Sequence, residues 1–436
     1  MIEPWTPDDS ELARIFATLR SYPRAVLAVS GGSDSVALLH LAVRWSASLG
    51  LDAPRLSVAT VDHGLRQGSN DDARWVDALA RDLGLAASIL TWTGDKPRQG
   101  IQERARNARY QLLGQHARDT GPGRCAVVTA HTQDDQAETL LMRLARGSGP
   151  DGLQGMRPVR QLAEGVDVVR PLLNLSRARL RSYLAANGGA WLEDPSNADQ
   201  RFERVRLREA AQVLQTVGLS PQMLALSAIR QRRAVEALDA SVDDLQRQAL
   251  NLHGGMFAAI DGSLFHAQPA ELRVRLLGRV LAMFGGQSPA ADLAQVETLV
   301  DRLAHDTIVR TTLGGCEVRA CRNGIRVYRE RGRASLPAID LGAGQQTTWD
   351  DRFVIRILKA ATPLNVRALD QGAVAILRRH ARPDLALPSR AAATLPAVWA
   401  GNALIAVGGV PAEFTSAACA KSGACVEMRF LFGPKD

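Results

Sequence analysis

The sequence predicts an α/β protein in three parts. Residues 1–215 should form an N-terminal doubly wound parallel sheet, 216–335 a mostly helical domain, and 336–436 a small β-rich α+β domain. Three observations carry this. Ala25 to Val29 is a short uncharged apolar run, as a buried parallel strand requires, and it leads through Ser30-Gly31-Gly32-Ser33 into a helix with Val36, Leu38, Leu39 and Leu41 on its apolar side. Strands at Leu56 to Val61 and Arg124 to Ala130 likewise end in polar residues, at the end of a parallel sheet where ligands bind. After about residue 210 the pattern turns to helical stretches and then to short alternating strands.

In chain order, Pro4 to Tyr22 reads as a helix with Leu12, Ile15, Phe16 and Leu19 on one face. The first strand and its Gly-rich turn follow, then the second strand, which ends in Asp62-His63-Gly64-Leu65-Arg66. Asp71 to Leu83 is a helix, Ala87 to Trp92 a third strand, and Gly100 to Gln115 a helix carrying Arg104, Arg106 and Arg109. The fourth strand delivers His131-Thr132-Gln133-Asp134-Asp135-Gln136-Ala137-Glu138. Arg146 to Met156, with glycine at 147, 149, 152 and 155, reads as a mobile loop facing phosphate or nucleic acid. Further on, Pro221 to Leu252, Glu271 to Phe284 and Ala290 to Ala304 are helical, and Phe257 to His266 is β-like. Ile308 to Val327 alternates around Gly314-Gly315 and Asn323-Gly324 turns, and strands dominate from Phe353 on, Val398 to Val407 among them.

Composition narrows the function classes. Hydrophobic residues make up 46% of the 436, enough for a real core, and no stretch approaches the roughly 18–20 apolar residues of a membrane span. Met1 to Ser10 is polar and acidic and lacks a signal-peptide core. The five cysteines, Cys125, Cys316, Cys321, Cys419 and Cys425, form no CxxC pair, which fits reduced thiols in a cytoplasmic protein. The net charge of +8 points to a polyanionic partner, and residues 211–436, with 26 Lys+Arg against 20 Asp+Glu, carry 6 of it.

The chemistry-bearing residues gather at strand ends. A Gly-rich turn before a helix N-terminus is an anion site, because unpaired N–H groups and the helix dipole point at it; an ordinary tight turn is the bland alternative. Asp34 in that turn makes sense beside phosphates if a metal bridges the two. Asp135 and Glu138, three residues apart, share one helix face and repel unless a cation such as Mg²⁺ or a substrate ammonium lies between them. Helix capping alone accounts for one or two of the acids there. Residues 157–208 hold ten Arg against six Asp+Glu, with alternating Arg177, Arg179, Arg181 and Arg204, Arg206, Arg208, which suit phosphate tracking or solvated helix faces. Trp191 suits the core, or the stacking of a splayed base.

Ser30-Gly31-Gly32-Ser33-Asp34-Ser35 after a strand resembles the P-loop of ATP pyrophosphatases and lacks the Gly-Lys-Ser/Thr of a Walker A loop. With Val61 to Arg66, Ala105-Arg106-Asn107-Ala108-Arg109-Tyr110, His131 to Thr139, Arg146 to Pro150, Arg170-Pro171-Leu172-Leu173 and Trp191 to Asn197 in that order, residues 20–210 closely resemble the bacterial tRNA(Ile)-lysidine synthetase family. One departure is Arg204-Val205, where the family-like pair is Arg-Asn.

The resemblance implies an adenine nucleotide alpha hydrolase-like sheet and an enzyme that joins free L-lysine to C2 of the first-anticodon cytidine of the isoleucine tRNA carrying CAU. ATP supplies AMP to form an adenylated tRNA intermediate, and diphosphate leaves. It implies ATP binding by Ser30, Gly31, Gly32, Ser33, Asp34, Ser35 and His63, and Mg²⁺ on Asp34 and Asp135. Arg109 would meet phosphate or developing charge, and Glu138, with Asp135, would bind lysine. His131, or an acid of the 134–138 cluster, would take the proton of the attacking amine, whose reference pKa of about 10.4 demands a base or a desolvated pocket. Arg177, Arg179, Arg204, Arg206 and Arg208 would track the tRNA. The sequence admits a homodimer and predicts no membrane partner. Two rivals are a tRNA thiolase of the same superfamily and a non-catalytic RNA-binding protein on the same fold. Cys125, inside a strand, argues against the first, and the intact Asp34, Asp135 and Glu138 against the second.

Overall fold

Alternation along the first strand sorts the chain into layers. The computed structural model describes residues 5–66, 68–94, 96, 100–193, 203–306, 308–321, 324–332, 335–369, 374, 389–409 and 423–432. In it β1 (Arg24–Ala28) sends Ala25 and Leu27 to one core and Val26 and Ala28 to another. β2 (Arg55–Asp62), β3 (Ala86–Thr91), β4 (Cys125–Thr129), β5 (Val159–Ala163) and β6 (Val166–Val169) complete a six-stranded sheet in the order β3-β2-β1-β4-β6-β5. All its pairings are parallel except β5 with β6.

Helices cover both faces. On one lie α1 (Asp9–Ile15), α2 (Ser33–Leu49), α3 (Ser69–Asp82) and, later in the chain, α7 (Arg177–Ala186), which contribute Leu12, Trp45, Val76 and Leu180 to the first core. On the other, α4 (Ile101–Asp119) packs Leu113 and Ala117 against Val26, Ala28, Val127 and Val166. The sheet is therefore doubly wound. β2 flanks β1 on one side and β4 returns to its other side, with Ala28 opposite both Ala59 and Thr129. That reversal is a topological switch point, where a crevice opens at the carboxyl ends of the strands.

Two stretches differ from expectation. The N-terminal helix is shorter, and a 3₁₀ turn, Ala17–Ser21, follows it. The β5–β6 hairpin was not foreseen, because Arg160, Glu164 and Asp167 interrupt its apolar signal.

The segment after α5 (Gln133–Leu144) is tied down. Arg143 donates to the carbonyls of Gly152 and Gly155, and Gln136 exchanges two hydrogen bonds with the Met156 backbone. A short α6 (Pro150–Leu153) lies within it. Gly155 has φ +70°, and a Cβ there would stand 2.6 Å from Gln136 Oε1, so the position needs glycine.

The chain divides into two compact units, Met1–Val235 and Glu236–Asp436. Residues 215 and 335 each fall inside a unit, and the division falls within α9 (Pro221–Ala249), which follows α8 (Glu203–Thr216). In the first unit, Leu224 and Ala228 of α9 pack against Ala137 and Leu140, and Arg232 donates to the carbonyls of Gln154 and Met156.

The second unit holds a five-stranded antiparallel sheet, β7-β8-β11-β10-β9, of β7 (Leu250–His253), β8 (Phe257–Asp261), β9 (Val309–Leu313), β10 (Cys316–Cys321) and β11 (Gly324–Arg329). With it go α10 (Gly262–His266), α11 (Ala270–Phe284) and α12 (Leu293–His305). Gly314-Gly315 makes the β9–β10 turn as expected, whereas Asn323 lies outside the described residues. Beyond them β12 (Ile339–Leu341), β15 (Leu364–Ala368), β16 (Pro396–Ala400) and β17 (Ala403–Val407) form one antiparallel sheet. β13 (Gln346–Trp349), β14 (Phe353–Lys359) and β18 (Cys425–Phe430) form another. No described helix is long and apolar enough to cross a membrane.

Candidate active site

Three loops leave the carboxyl ends of β1, β2 and β4 side by side. The first is the Gly-rich turn. Gly31 has φ +89°, and a Cβ there would meet Leu192 Cδ1 at 2.8 Å. The Gly31 carbonyl accepts the Leu192 N–H at 2.9 Å, which fixes the turn from the far side. Ser35 Oγ donates to the Gly32 carbonyl (2.9 Å), accepts from the Ser30 N–H (3.2 Å) and lies 3.3 Å from the Ser30 hydroxyl. α2 starts on Gly32 without a side-chain cap, and while the Ser35 N–H donates to the Gly32 carbonyl, those of Ser33 and Asp34 are left for a ligand.

The second loop carries His63. Asp62 braces it by accepting from the Gly64 N–H and the Ser69 hydroxyl, at 2.8 and 2.7 Å. Burial and the nearby Arg109 push His63 below the ordinary histidine value, and its Nδ1 is buried with no hydrogen-bond partner among the described residues. Arg109 is half-buried, burial lowers its pKa, and among the described residues it meets no carboxylate. A desolvated guanidinium without an anion is a place where an anion is worth most.

The third loop begins at His131, whose Nδ1 lies 2.9 Å from Thr129 Oγ1. Burial drives its pKa down to about 3, assisted by Arg170, Arg109 and Arg106 and opposed by Asp135. The imidazole is therefore neutral and a weak base. Thr132 caps α5, and Asp135 Oδ2 accepts both its N–H and its hydroxyl at 2.8 Å. The capping and the ligand readings of Asp135 thus use different oxygens, since Oδ1 faces the crevice.

There the expected sets of residues meet. Arg177 donates to Asp34 Oδ2 at 3.0 Å, to Asp135 Oδ1 at 3.0 Å and to Glu138 Oε1 at 3.5 Å, while its backbone N–H donates to Asp134 at 2.8 Å. Arg208 forks onto Glu138 with bonds of 2.6 and 3.4 Å. Burial would lower the Arg177 pKa, but Asp135, Asp34 and Glu138 outweigh it and raise it. Asp135 is held below the ordinary carboxylate value: burial works against this, and Arg177 and the Thr132 bonds prevail. Asp34 goes the other way, raised by burial in spite of Arg177. Asp34, Asp135 and Glu138 thus share the Arg177 guanidinium, and Glu138 also holds that of Arg208.

Sequence reasoning missed these pairings. It treated Arg177 and Arg208 as tracking RNA, although the repulsion of clustered acids asked for a cation and an arginine of the same chain can supply one. Arg179 is also engaged, donating to Glu11 at 2.8 Å and lying 4.4 Å over the Trp5 ring. Arg206 is exposed on α8, and the Arg204 side chain and Pro195 to Asn197 lie outside the described residues. Val205, at the departure from the family pattern, is buried. Trp191 packs partly buried against the first core, its Nε1 donating to Glu193 at 2.9 Å. Cys125 is fully buried in β4, and burial raises its thiol.

Residues 6–215 match a family model described as the PP-loop domain. A protein of Bradyrhizobium sp. named tRNA(Ile)-lysidine synthase is 42% identical over 338 residues, which cover 73% of this chain and 93% of that relative. One of the same name from Ruegeria pomeroyi is 39% identical over 389 residues, 88% of each chain. Among solved structures, a U34-tRNA thiolase from Methanococcus maripaludis with its 4Fe–4S cluster aligns with a TM-score of 0.44 at 15% identity, over 52% of this chain and 78% of that one.

Proposed function

The chain belongs to the tRNA(Ile)-lysidine synthase family, and from that premise we propose that it ligates free L-lysine to C2 of the first-anticodon cytidine of the CAU-anticodon isoleucine tRNA. In the first step the C2 carbonyl oxygen attacks the α-phosphorus of ATP and diphosphate leaves. In the second the neutral ε-amine of lysine attacks C2, loses its proton, and AMP departs with that oxygen. The products are lysidine, AMP and diphosphate.

One observation carries the reading: a single guanidinium, Arg177, bridges Asp34, Asp135 and Glu138 beside the uncapped start of α2. The reaction needs cations at that point, an ammonium and the counter-charge of the phosphates. Backbone N–H groups at Gly31, Gly32 and Ser33 and the Ser30 and Ser35 hydroxyls would take phosphate oxygens. The orphan Nδ1 of His63 suits the nucleotide, and Arg109 suits negative charge developing at the reacting phosphate. Glu138 would hold the lysine ammonium once Arg177 and Arg208 yield it.

Mg²⁺ fits the residues present, because Asp34 and Asp135 each turn an oxygen to one cationic point. Among the described residues no group of three His, Cys, Asp or Glu is placed to hold a metal ion by itself, so nucleotide oxygens and water would complete the shell, as is usual for this ion. When bound it would supply charge neutralisation at the phosphates.

His131 is better suited to hydrogen-bond the substrate as a neutral imidazole than to take the amine proton, given its low pKa. The thiolase rival would need reactive thiols, and Cys125 is sealed in the sheet. The reading carries a cytoplasmic location and leaves further tRNA contacts to the basic surplus of residues 211–436. Incubation with CAU-anticodon tRNA, ATP and labelled lysine tests it: label in the tRNA with release of AMP and diphosphate is expected, and its absence from a folded, ATP-binding protein overturns the reading.

A further inference from the structure

Beside α4, β5 and the segment after α5 runs a cleft of about 1090 Å³. Its wall carries Arg106, Arg118, Arg143, Arg157, Arg160 and Arg170 against a single acid, Asp151. The volume lies at the upper end of pockets for small ligands, which run to about 1,000 Å³.

These arginines differ from those of α7 and α8. Arg177, Arg179 and Arg208 are all taken by carboxylates. In the cleft, Arg143 donates to the carbonyls of Gly152 and Gly155, Arg170 to that of Arg157, and Arg157 to the Gln154 side chain. Arg106 and Arg160 lie 5.2 and 5.4 Å from the Tyr110 ring centre, and Arg118 donates to Gln115. None of the six pairs with a carboxylate among the described residues. Their field is unbalanced: burial alone would raise the Tyr110 phenol, yet Arg106, Arg170 and Arg109 bring it below its ordinary value. Half a dozen guanidinia around a concave surface, with their charge uncompensated, call for an anion with several charges along its length.

The cleft also adjoins the active site. Trp92 in its wall lies edge-on to His63 at 6.1 Å. Arg106 and Arg170, also in its wall, are close enough to His131 to lower its pKa. A strand of nucleic acid lying in the cleft would present a base at the crevice without leaving the positive surface.

We propose that this cleft, and not the α7–α8 arginines, seats the sugar–phosphate backbone of the single-stranded anticodon loop. The proposal rests on the function proposed above, which supplies the RNA, and adds where that RNA lies. Arg106, Arg118, Arg157 and Arg160, all exposed, make the phosphate contacts. Arg143 and Arg170, held by backbone carbonyls, shape the wall. Arg177 stays with its carboxylates while the RNA docks.

The test uses the full chain with Arg157→Gln and Arg160→Gln together, and CAU-anticodon tRNA binding measured across a salt series. Two lost phosphate contacts should lower affinity on the order of tenfold and make the slope of log K against log salt shallower by about 1.4–1.8. Protection of the variant by ATP against thermal unfolding should match the parent, which shows that the fold and nucleotide site are intact. The Arg157→Lys, Arg160→Lys pair should keep the parent slope, since the charges remain. Arg177→Gln should leave the slope unchanged. An unaltered affinity and slope in the double glutamine variant overturns the proposal while the function stands. A parent protein that binds ATP but neither binds the tRNA nor forms lysidine overturns the function, and the cleft assignment with it.

Discussion

In the first unit one guanidinium, Arg177, gathers Asp34, Asp135 and Glu138; in the second one carboxylate, Asp350, gathers Arg329 and Arg352. On paper the two clusters are mirror images. Their surroundings separate them. Side chains at the first keep access to solvent, 20% for Arg177 and 21% for Asp34, whereas Arg352 and Asp350 retain 0% and 1%. Asp350 Oδ2 accepts from both arginines at 2.9 and 2.8 Å, Oδ1 takes the Gln287 N–H at 3.2 Å, and Arg352 donates to the Thr394 carbonyl at 2.5 Å. A Cβ on Gly286 would lie 2.5 Å from Asp350 Oδ1, so nothing can enter. Asp350 even adopts φ +48°, uncommon for a residue with a side chain, to reach its partners. The first cluster instead sits beside unclaimed N–H groups and holds more carboxylates than guanidinia. Clustered charge does not mark a site. Access, and a surplus of one sign, do.

The contrast can be broken in order of expected effect. Asp34→Asn should cut tRNA-dependent diphosphate release by a factor on the order of 10²–10³, the usual loss when one charge-stabilising group goes, while the melting temperature stays near that of the parent. Full release from the well-folded variant would remove Asp34 from the chemistry. Asp350→Asn should do the reverse. It leaves two buried guanidinia without a counter-charge, a loss of about 3–5 kcal/mol in denaturant unfolding, with ATP binding retained wherever the protein is folded. A stability within error of the parent would show that the sealed cluster contributes nothing.

Glu138→Gln sharpens the first cluster from within. It should raise the KM for lysine about 10- to 100-fold, the range expected for one charged hydrogen bond. Adenylation of the tRNA measured without lysine should persist in part, and a change confined to the KM for ATP would move Glu138 to the other substrate.

At neutral pH the smallest effect belongs to His131, whose contribution shows only on acidification. Its folded pKa of about 3 lies below the unfolded value, so the unfolded chain takes up the proton first as pH falls. Its contribution to stability is complete above about pH 6.5 and is lost progressively down to about pH 3. His131→Asn should flatten the stability–pH slope in that window by up to about 1.4 kcal/mol per pH unit, and parallel slopes would refute the burial argument.

Much of the first unit was legible because its signals are local. Ser30 to Ser35 and His131 to Glu138 each lie within a few residues of a strand end, so spacing alone put them at the crevice. Arg177 and Arg208 were not legible as counter-ions, since their carboxylates stand up to 143 residues away and charge patterning does not name partners. The family resemblance implied Mg²⁺ and lysine at Asp34, Asp135 and Glu138 but gave no sign that Arg177 bonds to all three. The β5–β6 hairpin escaped for a different reason: a short strand with charges on its outer face has too few apolar positions to show a period. In the second unit the long helices were readable, but the Asp350 cluster joins residues from separate turns and strands and leaves no local trace.

Arg177 has one last consequence, for ionic strength. If the lysine ammonium takes its place at Glu138, one monovalent cation leaves that carboxylate as another arrives. The exchange is electroneutral at the site, so few ambient ions are released or taken up. Lysine affinity should then hardly vary from dilute buffer to high salt, in contrast to the steep dependence expected of the polyanion. The same exchange screens out the common cations of the cell. Potassium at ordinary concentrations would have to outbid a tethered guanidinium with three bonds already made, and only a ligand that brings contacts of its own, as an amino acid does, gains by displacing it.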